Sequence, residues 1–110
     1  MIIDCHGHYT TAPPQLGEYR DAQRAALDVN SGHVGDRGQL SISDEELRES
    51  LEDNQLRLQR DRGIDLTLFS PRASWMGHHI GNEHTSRYWS EHCNDLIWRV
   101  CDLYPENFAP

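Results

Sequence analysis

The apolar positions of the chain follow two periods. Short apolar runs at Ile2-Ile3 and from Ile64 to Phe69 predict strands over 1–6 and 64–69. The continuous run at the start suits a strand buried on both faces. Longer stretches repeat at helical spacing. Leu47, Leu51 and Leu58 form one stripe after Ser43, and Trp89, Cys93, Leu96, Ile97, Val100 and Leu103 form another over 84–104. Tyr19, Ala22, Ala26 and Val29 suggest a shorter helix over 18–29. Ser43 and Glu46 match a capping box, in which each side chain satisfies an orphan amide of the first turn. Gly63 provides the exit from that helix, and Pro105 ends the last one. Segments 9–17 (with Pro13-Pro14), 30–39 (with three glycines) and 70–82 read as loops, and 108–110 as the start of another strand.

Strands alternating with helices imply parallel β-α-β units. Two or three parallel strands cannot close a barrel or cover both faces of a sheet. The expectation is therefore an α/β segment, residues 1–110, forming the incomplete N-terminal part of a larger domain.

Charge narrows the partners. Eighteen acidic residues face ten basic ones, giving a net charge of −8, and every basic residue is arginine. This argues against nucleic-acid or acidic-membrane binding, which needs a positive surface. An anionic ligand would need a local arginine. No run reaches the ~18 apolar residues of a membrane span, and no basic, apolar leader is visible. Three cysteines argue against a disulfide framework. Cys93 and Cys101 on one helix would lie about 12 Å apart, beyond the reach of a bridge. Free thiols suit a reducing cytoplasm.

The sharpest chemical signal is His6-Gly7-His8. Residues two apart on a strand share a side, so both imidazoles can face one ion, and neutral imidazole suits zinc and similar metals. Asp4 has the same parity but is expected to hydrogen-bond rather than coordinate. Cys5 should point the other way, as a small buried hydrophobe. Arg72, just after the second strand, is a candidate clamp for a substrate carboxylate. Ser74 and His79 are further substrate-binding candidates in the same loop, and Arg37 is a weaker clamp candidate in the glycine-rich loop. His78, His79, Glu83 and His84 could form a second metal cluster, but their spacing fits no standard pattern and reads better as a polar helix entry. Asn94 and Asp95 are expected to be structural, and the Trp, Leu and Ile residues of the last helix core.

Ile3-Asp4-Cys5-His6-Gly7-His8 resembles the first-strand metal motif of the amidohydrolase superfamily, in its decarboxylase-like branch. Arg62-Gly63-Ile64-Asp65 before a strand ending Ser70-Pro71, and Asn94-Asp95-Leu96 before Tyr104-Pro105, are similar to later pieces of that branch. The acidic helical insertion and the Ser70 to Met76 loop look most like its hydratases. The resemblance implies a TIM (β/α)₈ barrel and zinc, or another divalent metal, held by His6, His8, a later histidine and a later carboxylate. It implies hydration of a carbon–carbon double bond in a small polycarboxylate during aromatic-compound catabolism. A decarboxylase or hydrolase with the same metal core is the alternative, and a stand-alone metal-binding or interaction domain is the alternative of another class. Assembly as a homo-oligomer is left open. By itself the segment is expected to be catalytically silent.

Overall fold

The computed structural model describes residues 1–110. Strand β1 (Ile3–Tyr9) leads through helix α1 (Gln15–Ala25) to a crossover made of α2 (Asp44–Leu51), a π-helical turn (Glu52–Leu56) and α3 (Arg57–Arg62). Strand β2 (Leu66–Pro71), the one-turn helix α4 (Ala73–Met76), the long α5 (Glu83–Leu103) and the short β3 (Phe108–Ala109) complete it. The strands form one parallel sheet in the order β1-β2-β3, so the expected alternation of strands and helices is realised. No helix is long and apolar enough to cross a membrane.

The crossover starts as the sequence predicts. Ser43 accepts from the Glu46 amide while Glu46 accepts from the Ser43 amide, and Gly63 closes the far end with φ of +65°. In between, the helix departs from expectation. The π-helical turn adds one residue to its turn, so the buried stripe runs Leu47, Leu51, Leu56 and Gln59, while Leu58 is turned towards solvent. The spacing of five from Leu51 to Leu56 is the visible trace of that insertion.

The first helix also differs from its prediction. It begins right after Pro14 and ends at Ala25, and it buries Leu16 and Gln23, whereas Ala22, Ala26 and Val29 are exposed. Gln23 faces inward because its amide donates to the Asp36 carbonyl at 3.2 Å, tying the glycine-rich loop to the helix.

The core lies on one side of the sheet. Tyr9, Phe69 and Phe108 pack against Leu47, Leu51 and Leu56 of the crossover and Leu96, Ile97 and Val100 of α5. Phe69 stacks on Phe108 at 4.6 Å between ring centroids. Thr67 and Gln59 are buried together, with the Gln59 amide donating to Thr67 Oγ1 at 2.7 Å and to the Asn107 carbonyl at 2.8 Å. These polar groups thus tie α3, β2 and the entry to β3. Trp98 is an exception in α5, two-thirds exposed beside core residues Ile97 and Val100. Cys93 and Cys101 are buried and unpaired, as expected, but Cys5 is exposed rather than buried.

Candidate metal centre

The cause of the Cys5 exposure is a register shift in β1. Asp4 pairs with Thr67 and Gly7 with Phe69, so Cys5 and His6 together oppose Leu68 alone. Such a β-bulge re-aims side chains. It separates Asp4 from the histidines: Asp4 falls on the Thr67 side, while His8 pairs with Ser70 on the opposite side. The expectation of shared parity for Asp4 therefore fails, although its hydrogen-bonding role stands. Its carboxylate accepts the His6 amide at 3.0 Å across the bulge.

Gly7 is required between the two histidines by contact, not by backbone dihedral. A Cβ there would meet Thr67 Cγ2 at 2.2 Å and the Leu68 carbonyl oxygen at 3.0 Å. The absence of a side chain lets β1 lie close on β2 and fixes the height of both imidazoles.

Those imidazoles converge. His6 Nε2 and His8 Nε2 are 3.1 Å apart, with the rings edge to face at 4.7 Å between centroids. Two nitrogens each bound to a tetrahedral zinc at about 2.0–2.1 Å would be roughly 3.3 Å apart. The spacing therefore fits a shared ion.

The His8 tautomer follows from its neighbours. The Pro71 carbonyl, 3.2 Å from His8 Nδ1, can only accept. Ser70 Oγ donates its one proton to the Gly7 carbonyl at 3.0 Å, so at 2.8 Å from His8 Nδ1 it too accepts. Both contacts assign the proton to Nδ1 and leave Nε2 with a free lone pair. A metal-ligating histidine needs this arrangement. Ser70 and Pro71 thus orient His8, a role that the sequence shows only as a strand-end dipeptide.

Gln55, in the π-helical turn, lines a cleft of about 190 Å³ together with His6, His8 and Arg62. Its amide nitrogen lies 3.3 Å from Thr10 Oγ1 and its carbonyl accepts from Thr11 at 2.8 Å. Sequence reasoning missed it, and the five-residue leucine spacing is the signal that points there. A broader depression of about 620 Å³ is lined by Glu18, Glu46 and Glu49 without a basic residue, which disfavours a polycarboxylate.

Arg72 directly follows β2, at the same sheet end as His8, which pairs with Ser70. Its side chain is exposed and forms none of the ion pairs. Ser74 is exposed on α4, and His79 is exposed on the turn before α5. Arg37 is engaged elsewhere, with Glu91 at 2.9 Å and Asp95 at 3.2 Å on α5, so it is not a free carboxylate clamp. Those pairs give Asp95 the structural role expected of it. The His78 to His84 stretch gathers no metal site. No group of three or more His, Cys, Asp or Glu side chains could hold an ion anywhere in the chain. His78 instead bonds Ser86 Oγ, and Asn82 caps α5 through the amides of His84 and Thr85.

No family model matches the sequence. Individual relatives do. The chain is 50% identical over 109 residues to a 2-keto-4-carboxy-3-hexenedioate hydratase of Sphingobium sp. (strain NBRC 103272 / SYK-6), covering 99% of this chain and 31% of that protein. The crystal structure of 4-oxalomesaconate hydratase from Rhodopseudomonas palustris superposes with a TM-score of 0.84 at 48% identity, covering 98% of this chain and 31% of that one. The chain is thus a homologue of these hydratases over almost its whole length, and it spans 31% of theirs.

Proposed function

We propose that the chain supplies the first strands and half of a metal site to a (β/α)₈ barrel hydratase of the amidohydrolase type. The reaction is addition of water to a carbon–carbon double bond of a small polycarboxylate such as 4-oxalomesaconate, in aromatic-compound catabolism. The observation that carries this reading is the 3.1 Å approach of the two Nε2 atoms, in a chain half identical to a named hydratase. The open sheet face supports the barrel. It carries His8 with the half-exposed Ile3 and Leu68, a layering suited to inward-facing positions.

His6 and His8 would hold the ion, zinc by donor chemistry, and the resemblance implies a further histidine and carboxylate outside this chain to complete the set. Zinc, when bound, would supply Lewis-acid chemistry. The Asp4-capped bulge and Gly7 set the height of the imidazoles, and Ser70 keeps the His8 proton on Nδ1. Arg72 offers a planar fork to a substrate carboxylate. Ser74 and His79 supply further polar contacts. Three free thiols agree with a cytoplasmic setting.

The test is an assay of the complete protein with 4-oxalomesaconate. Loss of the conjugated alkene absorbance without carbon dioxide release, dependent on bound zinc, is expected. Release of carbon dioxide would assign the metal core to a decarboxylase instead.

A further inference from the structure

Arg20 lies on α1, remote in sequence from the histidine pair, yet it joins three elements around the loop that carries Arg72. Its guanidinium carbon sits 5.0 Å from the Trp75 ring centroid and 4.6 Å from that of Trp89. One terminal nitrogen donates to the Ser74 carbonyl at 3.0 Å. Trp75 and Ser74 belong to α4, and Trp89 is fully buried in α5. The surroundings are shaped for this arrangement. A Cβ on Gly77 would meet the Trp89 ring at 2.8 Å and an Arg20 nitrogen at 3.3 Å, and one on Gly17 would lie 3.6 Å from Trp75. Arg20 Nε and both indole N–H groups are buried without a hydrogen-bond acceptor. The cation is therefore held chiefly by two π faces and one carbonyl.

Apart from Trp75 and Met76, which pack against the core, segment 72–77 has few local restraints. Helix α4 is a single turn with no side-chain cap, and it leaves through Gly77 at a positive φ of 50°. Its first residue follows Arg72 directly. Fixing Ser74 and Trp75 therefore fixes the backbone from which Arg72 projects.

We propose that Arg20 is a positioning residue for substrate: clamped between Trp75 and Trp89 and bonded to the Ser74 carbonyl, it holds Arg72 at the same end of the sheet as His8. The inference rests on the carboxylate-clamp reading of Arg72. Arg20 touches no reacting atom. It sets affinity through loop position and leaves the metal untouched.

The test uses the complete protein with Arg20→Met, which fills the slot between the indoles without charge or donors, and Arg20→Lys, which keeps the cation. Hydrogen–deuterium exchange of a peptide spanning 72–80, zinc content, KM and kcat are measured. Arg20→Met should speed exchange in that peptide and raise KM about tenfold at unchanged zinc and little-changed kcat. Arg20→Lys should recover most of both effects, and it keeps the test available if the methionine variant does not fold. Unchanged exchange would overturn the proposal, as would unchanged KM in Arg20→Met when Arg72→Ala raises it. If Arg72→Ala leaves KM unchanged, the clamp reading fails by itself. Exchange then decides whether Arg20 pins the loop: faster exchange supports that part, and unchanged exchange overturns it.

Discussion

On one side of the sheet Thr67, Phe69 and Phe108 are at most 5% exposed, whereas Ile3 and Leu68 on the other remain 50% and 42% exposed. The covered side is filled by leucines and aromatics whose positions follow helical and strand periods. Its energy comes from area removed from water. The open side has no such packing, yet its groups are placed by specific backbone contacts: a bulge capped by Asp4, a glycine with no room for a methyl, and a serine that both donates and accepts. Burial stabilises the fold on one side. Directional bonds place the imidazoles on the other.

Substitutions can separate the two. The largest effect should come from His6→Ala, which leaves a single imidazole. The complete protein is expected to lose its bound zinc, read by elemental analysis, while its thermal melt without metal stays nearly unchanged. Leu51→Ala on the covered side should do the reverse, costing about 2–5 kcal/mol in a denaturant melt because Leu51 is fully buried. Ser70→Ala removes the shorter of the two contacts that orient His8 Nδ1–H, leaving the Pro71 carbonyl. Zinc affinity should weaken about 10–100-fold in a competition titration, without the loss of stability of a core change. Leu58→Gln should cost clearly less than Leu51→Ala in the same melt, because Leu58 is 39% exposed and the π-helical turn takes it out of the buried stripe. A large loss there would show that the helical stripe runs unbroken through Leu58.

A pH series sharpens the same contrast. Burial pushes the Cys93 thiol from its ordinary 9.0 up to about 11. The unfolded chain then releases that proton at lower pH than the folded one. The Cys93 contribution to stability is present below pH 9 and is lost as pH rises towards 11. Denaturant melts across that window should decline less steeply in Cys93→Ala. At pH 8 a thiol reagent should label exposed Cys5 well before Cys93.

Much of the covered side was legible in the sequence, because hydrophobic period and capping chemistry are local. The Ser43–Glu46 box, the Gly63 exit and the stripe of α5 follow from neighbours within a few residues, and the parallel sheet follows from the alternation of strands and helices along the chain. What the sequence concealed depends on register. Asp4 left the parity of His6 because two residues of β1 oppose one of β2, and Cys5 became exposed for the same reason. Arg37 looked available until α5 brought Glu91 and Asp95 against it. The first helix was shifted because Gln23 is buried by a bond to a loop that periodicity does not register. The His-Gly-His pair was found because its chemistry lies within three consecutive residues. The roles of Ser70, Gln55 and Arg20 were not, because each depends on contacts distant in sequence.

The convergence of the two rings is most directly tested by titrating zinc into ¹⁵N-labelled protein and following the imidazole nitrogens by NMR. The Nε2 signals of His6 and His8 should move together along one saturation curve, with Nδ1 of His8 staying protonated. Movement of only one ring, or binding through His8 Nδ1, would contradict a shared ion at this strand end.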